Sequence, residues 1–338
     1  MIMHLNRRGL IRTSLGAALA LPYIRRAHAE VSEVTIAKQF GTLYLQQDVM
    51  QRQKLVEKQG ALLGLPNLRA TYPRFTGTGP VTDALLSGSL HLASGGVPGA
   101  LLLWDRTRGA VKSAFAMNAT NQRLLTTNPA IHTIRDLTPA DRIALPAAKV
   151  SPQAIFLQMA AAKEWGTREW SRFDAQTIGR GHPDSMAAML SKTEITCHFS
   201  SSPFQERELA QPGVREVMNS YGIQGVNTST PITVYAYSAF RAENPLVWLA
   251  VMAAFQEATD WINENPADAA QLYLDNSGDK DAQANVLASM QAPGNAFTLQ
   301  PRGTMMVASF MADIGMLKRR PERIEEIFFP ESLEPTGT

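Results

Sequence analysis

The stretch GTGPVTDALLSGSLHLASGGVPGALLLWD, Gly77 to Asp105, sets the reading of the whole chain. A glycine-rich turn leads into a short helix, VTDALLSG, and then into an apolar strand, SLHLASGG. The strand ends in small residues, and PGALLLWDRTRG starts another helix with Pro98 in its first turn, where a missing N–H costs no hydrogen bond. Strand, turn and helix in repetition give parallel strands covered by helices. Upstream, EVTIAKQF (33–40) is a short alternating strand closed by Gly41, and NLRATYPRF (67–75) is a second strand. Between them DVMQRQKLVEKQGALLG (48–64) reads as one amphipathic helix, with Val49, Leu55, Val56 and Leu62 near helical spacing.

Downstream the same alternation restarts. QRLLTTN (122–128) and DRIALP (141–146) are strands, and Ser151-Pro152-Gln153 opens the helix AIFLQMAAAKEWG. SMAAMLSKT (185–193) is a helix, EITCHFS (194–200) a strand, and Pro203 opens the next helix. PITVYAYSAF (231–240) reads as one long strand, PLVWLAVMAAFQEATDWINEN as a helix, and the remainder as helices ending with RIEEIFFPESL. A chain of this length exceeds what one core usually serves, so two lobes are expected. The long strand follows a complete α/β set and reads as a return crossing. The division is then discontinuous: residues 30–121 with 236–338 form lobe 1, residues 122–235 form lobe 2, and two strands near 118–123 and 231–236 join them.

The first 29 residues read as an export signal. A basic start (Arg7, Arg8, Arg12) precedes a short apolar run, Thr13 to Ile24, and Ala27-His28-Ala29 has the small-x-small form of a signal peptidase site. The run is shorter than the roughly 20 residues a membrane span needs. The paired arginines resemble a twin-arginine signal, with the general secretory route as the alternative. Cleavage is expected near Ala29-Glu30, leaving a chain free in the periplasm, with no cysteine nearby to carry a lipid. The full chain has 32 bases and 30 acids; removing the five arginines of the signal leaves 27 bases against 30 acids, a formal −3. That balance gives no footprint for nucleic acid. The one cysteine, Cys197, excludes an internal disulfide and reads as a buried strand thiol.

Chemistry-bearing motifs are sparse. A serine hydrolase needs a nucleophile in reach of a base that an acid orients. No Gly-x-Ser-x-Gly elbow is present. The run HFSSSPFQ (198–205) does place His198 and Ser200 on one face of a strand, which keeps an exported serine hydrolase as the enzyme alternative. The six histidines (4, 28, 91, 132, 182, 198) are scattered without a His-x-x-x-His pair, so no metal and no cofactor are expected. TGTGP lacks the third glycine of a dinucleotide motif and any Gly-Lys-Ser/Thr.

Several stretches carry a resemblance. KQFGTLYLQQDVM (38–50), the Gly77–Asp105 stretch, HPDSMAAMLSKTEITCHFSSSPFQERELAQPGVREVMNS (182–220) and MLKRRPERIEEIFFPES (316–332) resemble, in this order, the solute-binding proteins of nitrate, sulfonate and taurine ABC importers. The resemblance implies an α/β chain with the type II periplasmic binding fold: two α/β lobes, a two-strand hinge and a ligand cleft between them. It further implies a monomeric carrier, not an enzyme, that binds a small anion (sulfonate, taurine, nitrate or carboxylate-like) and delivers it to a membrane permease powered by a separate ATPase. Relatives in the superfamily handle pyrimidine precursors of thiamine, so a neutral planar ligand is the alternative. A sensory subunit would share the fold.

Candidate ligand contacts lie at four strand-to-helix turns, where free N–H groups at helix starts suit an anion and small side chains allow close approach. They are Phe40, Gly41, Thr42, Leu43 and Tyr44; Ser94, Gly95 and Gly96; Ser151 and Gln153; and Ser200, Ser201 and Phe204. Gly77 and Thr78 of the second loop and Asn118 beside the hinge complete the set, with Asn121 and Gln122 as further hinge-side polar groups. Tyr44 and Phe204 are candidates to stack on a planar ligand. No arginine lies inside these loops; Arg123, Arg180 and His182 are the nearest bases in the chain.

Overall fold

The computed structural model describes residues 30–332; the expected export signal lies outside them. In chain order the strands are β1 (Glu33–Thr35), β2 (Arg69–Thr71), β3 (Ala93–Gly96), β4 (Val111–Ala116), β5 (Asn118–Ala119), β6 (Arg123–Thr126), β7 (Ile143–Leu145), β8 (Thr177–Gly179), β9 (Cys197–Ser200), β10 (Arg215–Asn219), β11 (Ile232–Tyr237) and β12 (Ala296–Phe297). β1 pairs in parallel with β2, and the ladder continues past both: Lys38 N–H donates to Pro73 O (3.0 Å), and Ala37 N–H to Leu92 O (3.0 Å) on the other side. β11 then pairs antiparallel with β3 and with β4. The first sheet therefore runs β2-β1-β3-β11-β4.

The second sheet runs β8-β7-β9-β6-β10, with β7 parallel to β8 and β9, and β6 antiparallel to β9 and β10. Numbered from its own first parallel strand, each sheet has the order 2-1-3-n-4, where n is the strand arriving from the other sheet. β6 follows β4 and β5, and β11 follows β10, so the two sheets exchange one antiparallel strand each. The crossing segments lie side by side: Met117 N–H donates to Ile232 O (3.1 Å) and Thr120 N–H to Ser229 O (3.2 Å). A third segment joins them, with Ala116 N–H on Leu299 O (3.0 Å) and Thr230 N–H on Arg302 O (2.9 Å). The hinge expected as two strands thus has a third member.

Apolar spacing explains which faces are buried. Val49, Met50, Leu55 and Val56 enter one core with Phe115 of β4 and with Val251, Ala254 and Phe255 of the helix Pro245–Glu264. The segment read as one helix is two, Leu45–Gln53 and Leu55–Leu62, because Lys54 adopts a left-handed conformation (φ 52°) that re-aims the chain. The first helix is pinned to the sheet by a buried ion pair, Lys38 Nζ to Asp48 at 2.6 Å, and by Gln47, whose amide donates to Ala37 O and Ser94 Oγ, both at 2.6 Å. A second core joins Ile143, Leu145 and Ile155 to Val97, Leu101 and Trp104 and to Val307, Ala308 and Met311 of the helix Thr304–Asp313. That helix therefore packs in one core with residues attached to both sheets.

Two other expectations change. The strand read over 231–240 ends at Tyr237, and a helix, Ser238–Glu243, takes over with Ser238 N–H on Ala110 O (2.8 Å). Residues 323–332 form no α-helix: between two 3₁₀ turns, Ile324–Glu326 and Pro330–Ser332, Ser113 N–H donates to Ile327 O and Phe329 N–H to Ser113 O, both at 2.9 Å, adding an edge beyond β4. Burial of Ile327, Phe328 and Phe329 drives that exchange of helix for edge pairing. Among the described residues no helix is long and apolar enough to cross a membrane.

Candidate functional site

In a sheet ordered 2-1-3, the connections after strands 1 and 3 leave in opposite directions and open a crevice at their carboxyl ends. In the first sheet those ends lead into Gln39–Tyr44 and Gly96–Val97; in the second they lead into Pro146–Ser151 and Ser201–Pro203. The two sets face each other across a narrow cleft. Gln39, Phe40, Leu43, Tyr44, Thr76, Thr78, Gly96 and Ile232 line one side; Gln122, Pro146, Ser151, Pro152, Gln153, His182 and Ser201 line the other.

Two glycines set how closely the sides approach. A Cβ on Gly96 would stand 2.6 Å from Pro152 Cδ, and one on Gly77 would stand 2.8 Å from Pro146 O. Both have backbone angles open to any residue (φ −58° and 175°), so close approach alone demands glycine there. Thr42 Oγ1 donates across the gap to Ser202 O (3.3 Å).

Four helices begin at the cleft: Thr78–Leu86, Val97–Arg106, Pro152–Trp165 and His182–Leu190. Their free N–H groups and the positive ends of their dipoles favour negative charge. Ser151 caps the third, its Oγ accepting from Ala154 N–H (3.2 Å), which leaves its own hydroxyl hydrogen available. Among the described residues that line the cleft, none is Lys, Arg, Asp or Glu. Two carry titratable groups. Burial pushes the Tyr44 phenol far above its usual range, so it stays neutral. The other is His182.

His182 heads a buried chain of hydrogen bonds. Ser201 Oγ lies 2.9 Å from His182 Nε2, His182 Nδ1 2.9 Å from His198 Nε2, and His198 Nδ1 2.6 Å from Glu208 Oε1. His198 and Glu208 are fully buried. With Glu208 a carboxylate and His198 a neutral imidazole the directions follow: His198 donates from Nδ1, accepts at Nε2 from His182 Nδ1–H, and leaves His182 Nε2 as an acceptor for the Ser201 hydroxyl. Gln153 Nε2 approaches the same nitrogen (3.4 Å), and the Phe204 ring stacks on His182 at 5.6 Å and 22°. Burial, and after it the adjacent His198, hold the His182 imidazole well below the usual histidine range.

Of the residues anticipated from sequence, Phe40, Leu43, Tyr44, Thr78, Gly96, Ser151, Gln153 and Ser201 line the cleft. Thr42 and Asn118 sit with Leu43 around a smaller cavity behind it, where Asn118 Nδ2 donates to Leu43 O (2.8 Å). Ser94 holds Gln47, Gly95 faces the Tyr235 hydroxyl, and Gly41 (φ 98°) and Gly77 serve close approach. Phe204 packs on His182. Ser200 Oγ is buried without a partner, and His198 bonds to His182 and Glu208. The serine–histidine contact is therefore Ser201–His182, not the Ser200–His198 pair. Arg180 and Arg123 turn to Glu194 and Glu216. Cys197 is a buried strand thiol, pushed up to about 11 by burial. Gln39, Thr76, Pro146 and Ile232 join the lining without a sequence signal that set them apart.

The two sheets of one order, the exchanged antiparallel strands and the cleft at their carboxyl ends define the type II periplasmic binding fold, an α/β fold of two lobes. Solved structures agree. The chain is similar to the alkanesulfonate-binding protein SsuA from Xanthomonas axonopodis pv. citri bound to MOPS, with TM-score 0.70 and 17% identity over 89% of this chain and 99% of that one. It is similar to the periplasmic aliphatic sulphonate binding protein SsuA from Escherichia coli, with TM-score 0.65 and 16% identity over 88% and 98%. The periplasmic nitrate-binding protein NrtA from Synechocystis PCC 6803 matches with TM-score 0.68 and 13% identity over 90% and 87%. No protein-family model matches the sequence, and no curated protein matches it.

Proposed function

We propose that this protein is the exported, periplasmic ligand-binding component of an ABC importer. It binds a small anion of the sulfonate class between two lobes and, as a monomer, presents it to a membrane permease. The observation that carries the reading is the cleft itself: four helix N-termini converge on it, and among the described residues no carboxylate lines it. The likeness to sulfonate- and nitrate-binding proteins supports the same class. The boundary expected after residue 235 moves to the start of β11, which pairs with β3 and β4: lobe 1 comprises residues 30–121 and 232–332, lobe 2 residues 122–231, and the ligand favours the closed arrangement by touching both. The phenyl ring of Phe40 and the phenol of Tyr44 in the lining favour a second reading, a neutral planar ligand such as a pyrimidine.

A thermal-shift panel separates them. A ligand that binds the folded state alone raises the melting temperature by an amount set by its concentration over its dissociation constant. Ethanesulfonate, taurine or nitrate is expected to do so; a shift with an aminopyrimidine and none with any anion would replace the first reading by the second. Turnover of p-nitrophenyl esters that is lost in Ser201→Ala would instead make the Ser201–His182 contact catalytic.

A further inference from the structure

We infer that the charge of the bound anion is met by a proton and not by a resident cation: a monoanion entering the cleft brings one proton onto the Ser201–His182–His198–Glu208 chain. The inference rests on the anion reading above. An anion taken out of water needs a positive partner or a full set of donors. The cleft lining holds no fixed cation. Of the bases near it, Lys38 pairs with Asp48, Arg123 with Glu216, Arg180 with Glu194, and Arg207 with Asp279 and Asp281; Arg74, whose guanidinium lies 5.4 Å over the Phe40 ring, and the exposed Lys149 of the 146–151 turn do not line the cleft. The acids facing the chain from its neighbouring elements are few. Glu206 is bonded to Ser202 and Gln205, Asp184 on the helix of His182 is exposed, and the Tyr44 phenol is neutral.

That leaves the buried chain as the source of positive charge. Its far end is a fully buried carboxyl with one hydrogen bond, since the second oxygen of Glu208 has no partner. Its near end, His182 Nε2, opens on the cleft through Ser201 and Gln153. In the empty cleft His182 is neutral and its Nε2 accepts. A negative charge within a few ångströms favours the imidazolium. Once protonated, Nε2 donates instead, so the same nitrogen and the Ser201 hydroxyl are both released to donate toward the anion. The added proton balances a monoanion. A dianion would leave one buried charge without a partner.

The sign follows from linkage. The liganded state binds more protons than the empty one, so affinity rises as pH falls, by up to about tenfold per pH unit across the window between the two His182 pKa values. The experiment is calorimetric titration of the purified protein with ethanesulfonate in Bis-Tris and in Tris. These are cationic buffers of different ionisation heat; sulfonate and phosphate buffers would compete for the cleft. The difference in heat is expected to report uptake of about one proton near pH 7 in the wild type and none in His182→Gln. Sulfate is expected to bind at least about tenfold more weakly than ethanesulfonate. Ethanesulfonate bound without proton uptake by the wild type overturns the inference and leaves the anion reading standing, and the wild-type result decides this even where the variant fails to fold. Absence of binding by both ethanesulfonate and nitrate between about pH 5 and pH 8 overturns both.

Discussion

His182 is the first residue of a helix, stacks on Phe204, and stands between a fully buried histidine and a serine that lines the cleft. Its pKa is depressed in the folded, empty protein, so the unfolded chain binds the proton more readily. The stability this confers is complete above the unfolded histidine value and falls away as pH drops through it, toward the lower folded value. Thermal unfolding without ligand is therefore expected at a lower temperature near pH 5 than near pH 7, and His182→Gln is expected to flatten that slope. His91, depressed by its own partial burial, adds a share that the variant leaves in place. Ser151 and Ser201 line the cleft from two elements, placed to donate to one proposed ligand. Replacing both with alanine is expected to weaken ethanesulfonate binding by about 1–3 kcal/mol, read by calorimetry. The histidine itself was only partly legible. His182 and His198 stand 16 residues apart in the chain, and their contact exists only because the start of one helix lies over the end of β9. A histidine in an otherwise apolar strand, next to a second one opening a helix among small residues, was the available signal.

At the scale of elements, the alternation of strand and helix was plain wherever strands were apolar and bounded by glycine or proline, as around β3 and β7. β8 and β10 are intermediate or exposed along their length and gave no run to find. The break at Lys54 carries no local sequence signal, because lysine suits helix interiors and the left-handed turn is imposed by packing on both sides of it. The glycines show the same division. Gly77 reads as a turn residue, yet its backbone is extended, and its requirement is the 2.8 Å approach to Pro146 O. Gly77→Ala is expected to leave the melting temperature of the empty protein nearly unchanged, within about 0.5 kcal/mol. It is expected to weaken ethanesulfonate affinity at least about tenfold, because the added carbon obstructs closure alone. Equal loss of stability and affinity would place the glycine in the folding core instead.

For the whole molecule, two sheets of the same order are tied by three adjacent segments and by the Thr304–Asp313 helix, which shares a core with residues attached to both. The twofold repetition of one topology was readable as a restart of the same alternation, whereas the third hinge segment and the placement of the last helix were not. Both depend on where Leu299 to Asp313 returns after the intervening helices, and no local pattern encodes that return. The low identities to sulfonate- and nitrate-binding structures, at TM-scores of 0.70 and 0.68, show that the fold is held while most residues differ. The central claim is that an anion is held between the two sheets by helix N-termini and His182. A crystal structure grown with ethanesulfonate tests it most directly. The expected result is a sulfonate group within hydrogen-bond reach of Ser151, Gln153 and His182, with its alkyl chain toward Phe40 and Tyr44. Ethanesulfonate bound elsewhere, with the cleft holding none, would contradict it.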